Sequence, residues 1–315
     1  MRRALVLLAL LASFPSPSHA QIAGQPGAFS RMGFGARGMG MGNAMTAVTE
    51  GLITGYYNPA LIAWSTNRNA SASFGILSLD RSLNFLHYTQ PVPPMAAVSV
   101  GIINAGVSNI DGRDADAEPT GPLRTSENQV FLGFGARFKS GLSLGLNFKL
   151  YYYHLYTDVS STTIGLDLGA LYAVLPSLTV GLAVHDINSK YKWDTSTLYG
   201  TQGNSSSDGF PLLVTLGVAY RVLDSLALVT GDLEFSNAST ATLRLGAEVP
   251  IIPEVTVRAG VDRIDLKEKG TGLRPAFGFT VGKTLEGWTP ALNYAYVFEP
   301  FSPTGLHMIS LSVMF

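Results

Sequence analysis

Leu142-Ser-Leu-Gly-Leu-Asn-Phe-Lys-Leu150 carries an apolar side chain at every even position and a small or polar one at every odd position. A period of two is that of a β-strand, whose successive side chains point to opposite faces, and not that of a helix. The pattern returns over Ala241, Leu243, Leu245, Ala247 and Val249, interleaved with Thr242, Arg244, Gly246 and Glu248. It returns again where Ile309, Leu311, Val313 and Phe315 alternate with Ser310, Ser312 and Met314. A soluble sandwich alternates too, so the period alone does not choose. One consistently apolar face, set against a face rich in Gly, Ser, Thr and charge, points to a barrel with lipid outside and a packed or wet lumen inside.

Composition agrees with that reading. Of 315 residues, 46% are hydrophobic and only 14% charged, where soluble domains carry about 25% charge. The formal net charge of −1 gives no footing for nucleic acid or for a polybasic membrane-surface role. The absence of cysteine excludes disulfides and thiolate metal sites. At the N-terminus, Arg2 and Arg3 precede the apolar run 4–12, and Ser18-His19-Ala20 offers a small-x-small cleavage site. This reads as a cleaved secretory signal peptide over 1–20, with Gln21 as the first mature residue. The run is shorter than the ~20 residues a spanning helix needs, and no later apolar run replaces it. An exported, hydrophobic chain without a helical span enters a membrane by closing a sheet, which leaves no backbone group unpaired toward lipid. The expected location is the bacterial outer membrane.

The alternation predicts about fourteen antiparallel strands, at 69–79, 82–90, 95–104, 128–138, 141–156, 159–174, 177–190, 211–221, 225–235, 240–249, 253–263, 273–283, 287–298 and 306–315. Most approach ten residues, the length a tilted strand needs to cross hydrocarbon, and the number is even, as in bacterial barrels. Connections sort by parity. Short ones fall at 91–94, 139–140, 175–176, 223–224, 250–252 and 284–286, and long ones at 104–127, 191–210, 264–272 and 299–305. Short turns on one side and longer loops on the other are the habit of outer-membrane barrels. The loop 109–116 is acidic and reads as a solvated surface in preference to a cation site. Tyr151, Tyr152, Tyr153, Tyr156, Tyr172, Trp288, Tyr294, Tyr296 and Phe298 crowd strand ends and suggest interfacial girdles.

Residues 21–68 do not alternate. Gly33, Gly35 and Gly38 match G-x-G-x-x-G, but no βαβ unit surrounds them, so no dinucleotide site is read there. Dense glycine instead suggests backbone packed on backbone, and Asn58-Pro59 suggests the start of a short helix. A compact piece of this kind fits the lumen as a plug, giving three parts: 1–20 signal peptide, 21–68 hatch, 69–315 barrel.

The stretches 35–44 (GARGMGMGNA) and 56–61 (YYNPAL) resemble the N-terminal hatch of PorV/PorQ-type outer-membrane proteins, which belong to the FadL-like superfamily of fourteen-strand barrels. The resemblance carries the hatch motif onto Arg37, Gly40, Gly42, Asn43, Asn58, Pro59 and Ala60. For PorV-type members it implies service to type IX secretion, with secretion components and exported proteins as partners. For FadL-type members it implies passage of long-chain fatty acids or other hydrophobic compounds. The secretion role is the first expectation, because the glycine-rich wording lies closer to PorV-type chains; hydrophobic transport is the alternative.

Face assignment points Arg137, Lys149, Asp167, His185, Arg221, Arg244, Glu248, Glu254, Arg258 and Asp262 inward, since such charges cost up to about 2–4 kcal/mol at midplane on the lipid face, Arg and Lys the most. Mixed signs favour mutual neutralisation, with a grip on the hatch through Arg31, Arg37 or Glu50 as the functional reading. His185 is the one histidine in a clearly inward slot, and no nucleophile–base–orienter set follows from spacing. No enzyme activity, cofactor or metal is expected. Ile309, Leu311, Val313 and the final Phe315 resemble the signal read by the barrel-assembly machinery, the remaining expected partner besides outer-membrane lipid.

Overall fold

The computed structural model describes residues 24–156, 159–223, 226–267 and 272–315; the signal-peptide reading of 1–20 lies outside them. Seven strands follow one another round the first half: β1 (Asn69–Ile76), β2 (Arg81–Val92), β3 (Ala96–Arg113), β4 (Pro119–Arg137), β5 (Leu142–Tyr156), β6 (Val159–Leu175) and β7 (Leu178–Ile187). A separate two-stranded hairpin, β8 (Lys190–Asp194) and β9 (Ser205–Gly209), interrupts them. Seven more complete the wall: β10 (Leu213–Val222), β11 (Ala227–Ser236), β12 (Ala241–Ile252), β13 (Val255–Asp265), β14 (Arg274–Gly282), β15 (Thr289–Val297) and β16 (Leu306–Met314). All neighbours are antiparallel, and β1 pairs β16 from Asn69 opposite Met314 to Ile76 opposite His307, closing a fourteen-strand barrel. Among the described residues no helix is long and apolar enough to cross a membrane.

The wall follows from the two-residue period. On β4–β6 the even positions face out, where Leu132, Phe148 and Ile164 are 58%, 62% and 71% exposed. Odd positions such as Phe131, Asn147 and Asp167 are buried. So large an apolar exterior is unstable in water and matched to hydrocarbon. The fold is a transmembrane β-barrel.

Three expectations are corrected. The loop expected over 104–127 is mostly sheet: β3 and β4 continue as a long hairpin, past a bulge between Val107 and Ile110, to a tip that carries the acidic run. Beyond lipid neither face must be apolar, so the alternation that marks a strand disappears while its ladder of hydrogen bonds continues. The loop expected over 191–210 contains β8 and β9 for the same reason. Tyr151 and Tyr153, expected in a girdle, point inward, and Tyr151 is fully buried; Tyr152, Tyr156, Tyr172, Trp288 and Phe298 are exposed.

Connections at 93–95, 138–141, 176–177 and 253–254 define a turn end, and those at 188–212 and 298–305 a loop end. Residues 24–68 reach inward-facing groups round the whole wall. Their short elements are a 3-10 turn at Ala28–Arg31, α1 (Gly35–Gly40) and a second 3-10 turn at Pro59–Trp64. The Ala36 amide donates to Ser310 Oγ on β16 (2.9 Å), Asn43 Nδ2 to Asp262 on β13 (3.2 Å) and Thr46 Oγ1 to Asp232 on β11 (2.7 Å). Across the lumen, Asn147 Nδ2 on β5 donates to the Gly55 carbonyl (2.7 Å), and Asn58 Nδ2 to that of Ala170 on β6 (3.1 Å).

Candidate functional site: two chambers and the segment between them

Glycines at inward positions seat this segment. Gly135, Gly145 and Gly169 are successive cross-strand partners on β4, β5 and β6. A Cβ on Gly169 would lie 2.9 Å from the Ala60 amide nitrogen and the same distance from Pro59 Cδ, and one on Gly135 2.8 Å from the Ala63 nitrogen. The paired Gly246 and Gly260 on β12 and β13 receive the backbone of Met41 and Gly42, and Gly42 itself holds a φ of +60°. Backbone can lie this close to backbone only where the wall has no side chains.

The motif residues make the polar contacts. Arg37 donates from Nε and Nη2 to the two oxygens of Glu248 (3.0 and 2.8 Å). Burial works against the Arg37 charge, and the Glu248 carboxylate more than offsets it, leaving its pKa raised. Gly40 packs beside Arg258 and Ala295. Asn43 Oδ1 accepts from the Tyr57 hydroxyl (2.8 Å), which accepts in turn from the Phe34 amide (2.9 Å). Asn58 caps the second 3-10 turn by accepting from the Ala60 amide (2.9 Å), with Pro59 at its first position and Ala60 fully buried.

The inward charges form separate groups. Lys149 Nζ donates to Asp167 (2.9 Å) and Asp186 (2.7 Å), with His185 3.4 Å from Asp167. Arg244 binds Glu234 (2.8 Å) and Asp262 (2.9 Å), and Arg274 bridges Asp262 to Glu299. Arg221 pairs with Glu50, and Arg258 with Glu248 (3.1 Å). Arg137 lies over the Trp64 ring at 4.6 Å. Glu254 departs from its inward assignment: it sits exposed in the turn between β12 and β13, where the strand period no longer applies. Arg31 donates to the carbonyls of Pro26 (2.9 Å) and Gln25 (3.1 Å) and lies within electrostatic reach of Glu127 on β4. His87 is also inward and buried, bonded to Ser99 (3.0 Å) and Thr89 (2.9 Å), so His185 is not alone. Asp186, Asp232, Glu234 and Arg274 were missed. The alternation of Thr230, Asp232 and Glu234 on β11, opposite Arg244, was the available signal for two of them.

These contacts divide the lumen. A cavity of about 820 Å³ opens at the loop end, with Phe29, Met32, Leu77, Ala105, Val107 and Phe301 among its apolar lining and Arg81, Arg263, Arg274 and Glu299 among its charges. Phe29 and Met32 are its floor on the segment's side. A second cavity of about 340 Å³ lies at the turn end against Arg37 and Leu52. Between them, voids of only about 30 and 50 Å³ border α1 and the Tyr56–Tyr57 pair. Both the apolar chamber and the obstruction beneath it are built partly from residues 28–57.

Beside the outer chamber stands an aromatic column. Trp193 of β8 contacts Tyr153 (5.3 Å) and Tyr191 (5.4 Å), Tyr191 contacts Phe210 (4.8 Å), and Phe210 contacts Tyr151 (4.9 Å). Tyr191 also donates to Glu127 (2.9 Å) at the chamber wall. The β8–β9 hairpin is thereby tied into the mouth.

Because two carboxylate bonds are lost at once, Arg37→Ala is expected to loosen the segment by about 3 kcal/mol. Hydrogen exchange of amides 34–45 should then quicken by about a hundredfold, while strand amides keep their protection. Unchanged exchange would show that the glycine seats alone hold the segment.

No family model matches the sequence, and no curated protein matches it. Solved structures do. The chain is similar to the Pseudomonas putida toluene transporter TodX, at 12% identity and a TM-score of 0.62 over 90% of this chain and 96% of that one. It is similar to the CymD monoaromatic hydrocarbon channel, at 14% identity and a TM-score of 0.66 over 90% and 97%. A Pseudomonas aeruginosa FadL homologue matches at 14% identity and a TM-score of 0.60 over 89% and 98%. These neighbours are FadL-type barrels, and the likeness establishes a shared fold.

Proposed function

We propose that this chain is an outer-membrane channel for passive uptake of small hydrophobic compounds, with residues 24–68 as the hatch that closes its lumen. The supporting observation is the chamber of about 820 Å³ at the loop end, lined in part by apolar side chains, Phe29 and Met32 of the hatch among them. Its size lies in the range of small-molecule sites, roughly 300–1,000 Å³. A hydrophobic solute gains by leaving water for the apolar part of this lining, and the voids of about 30 and 50 Å³ beside the hatch are too narrow for it to proceed unless the hatch shifts. The neighbours' hydrocarbon channels and transporter support the same reading, and the role in protein secretion ranked first by the motif gains no support from them. The closed barrel with its apolar exterior supports an outer-membrane position.

The test is uptake of labelled toluene by a Gram-negative host lacking its own channels of this kind. Expression of the chain should raise the initial rate, and Ala105→Trp, which narrows the chamber at its apolar lining, should reduce the gain. Equal rates with and without the chain would sink the proposal. A companion comparison of culture supernatants in the native strain, with and without the gene, should show the same exported proteins.

A further inference from the structure

Outside the lumen, the lipid-facing wall has a trough of about 460 Å³ where β1 runs between β2 and β16. The outward positions of β1 there are Ala70 and Ala72, and each stands in a cross-strand row between two larger side chains. The row nearer the turn end is Tyr88, Ala70 and Val313, and the next is Leu86, Ala72 and Leu311. Leu86 and Leu311 are 52% and 57% exposed, and they stand as ridges on either side of the alanines. Phe74 is the next outward residue of β1, exposed as well, and it closes the trough toward the loop end. A recess of this kind leaves its lining short of dispersion contacts unless a chain lies in it.

At its foot the trough meets a charge. The Phe315 amide donates to the Arg68 carbonyl (2.9 Å), which carries the β1–β16 ladder one residue past Asn69 and Met314. Arg68 therefore shares the outward parity of Ala70 and Ala72, about 7 Å along the strand from Ala70. It is exposed, and none of the described carboxylates pairs with it. Trp288, next to Thr289 opposite Met314, is exposed nearby, and tryptophan is enriched at the level of the lipid headgroups.

We propose that this trough seats one acyl chain of a phospholipid from the turn-end leaflet, with the lipid phosphate on Arg68. The chain lies between the two ridges and stops at Phe74, and the phosphate sits where β1 leaves the hydrocarbon. A basic side chain at the membrane surface attracts anionic headgroups. Charge also argues against a second copy of this chain as the occupant. A two-fold contact through this face would set Arg68 against Arg68 at one depth. Bilayer surrounds the wall here, so a lipid reaches the trough with no part taken by the lumen or the hatch. The site is thus separate from the uptake of solutes and rests only on the wall's being membrane-spanning.

Native mass spectrometry of the full chain in detergent tests this, by titration with phosphatidylglycerol and with diacylglycerol of the same chains, which lacks the phosphate. One phosphatidylglycerol should bind saturably, about fivefold tighter than diacylglycerol, the factor that one surface arginine gives toward an anionic headgroup. Arg68→Gln should remove that difference. Ala72→Phe fills the trough without changing its charge and should abolish the saturable adduct. Ala70→Leu should do the same, which keeps the test decisive if Ala72→Phe fails to assemble. No saturable adduct, an adduct that survives both alanine variants, or diacylglycerol bound as tightly as phosphatidylglycerol would overturn the proposal. A dimer that Ala72→Phe dissociates would overturn it too, and would give the trough to a second copy.

Discussion

Oxidising a Gly40→Cys/Ala295→Cys variant should cut toluene uptake by about tenfold or more, with full recovery on reduction. A Cβ on Gly40 would lie 3.5 Å from that of Ala295, within the span of about 3.5–4.5 Å that a disulfide bridges. The chain has no cysteine of its own, so no other thiol competes. The bond would fasten α1 to β15 in its present position, beside the voids too small for a solute. The same double variant kept reduced is the control, since a Cβ on Gly40 also crowds Arg258 Cδ at 2.9 Å. Undiminished uptake with the disulfide confirmed by mass would mean that solutes travel without moving α1, and the hatch reading would fall.

The opposite lesion should give the opposite result. In Gly145→Val/Gly169→Val, two β-branched side chains would occupy the seat of Pro59 and Ala60. Each steric clash costs roughly 1–3 kcal/mol, and the Asn58 bonds to the Thr46 and Ala170 carbonyls would go as well. The second 3-10 turn is expected to leave the wall while the barrel still closes, because cross-strand bonding of β5 and β6 uses backbone alone. Residues 24–68 should become protease-sensitive, and cells should admit polar solutes that the parent excludes. Retained protection of 24–68 would show that the wall yields instead of the segment.

What the sequence displayed and what it concealed divide along one physical line. Alternation reports a difference between two environments, so it was legible wherever a strand has lipid on one side and the lumen on the other. Leu142–Leu150 is such a place, and there the structure has Lys149 inward and Phe148 outward. The signal faded in the outer parts of β3 and β4 and in β8 and β9, where water or protein touches both faces. It misled at Glu254, where a turn ends the period; at Tyr151 the aromatic ring suggested an interface while the alternation itself put it inside. The seats of the segment were hidden for another reason. A glycine in a strand reads as a weakness, and only the pairing of Gly145 with Gly169, or of Gly246 with Gly260, turns scattered glycines into a surface. Pairing is a property of register, which one strand's sequence does not contain.

That same arrangement bears on the order in which the molecule is made. Residues 24–68 precede every described strand, yet their seats lie on strands as late as β13 and β16; the Ala36–Ser310 bond spans 274 positions. Contacts of such high sequence separation form slowly, since the intervening chain must first be ordered. Docking of the segment on those late strands is therefore expected to follow their closure, which protease protection of residues 24–68 during refolding would check. A nascent barrel caught before that event would be closed to lipid and open from end to end.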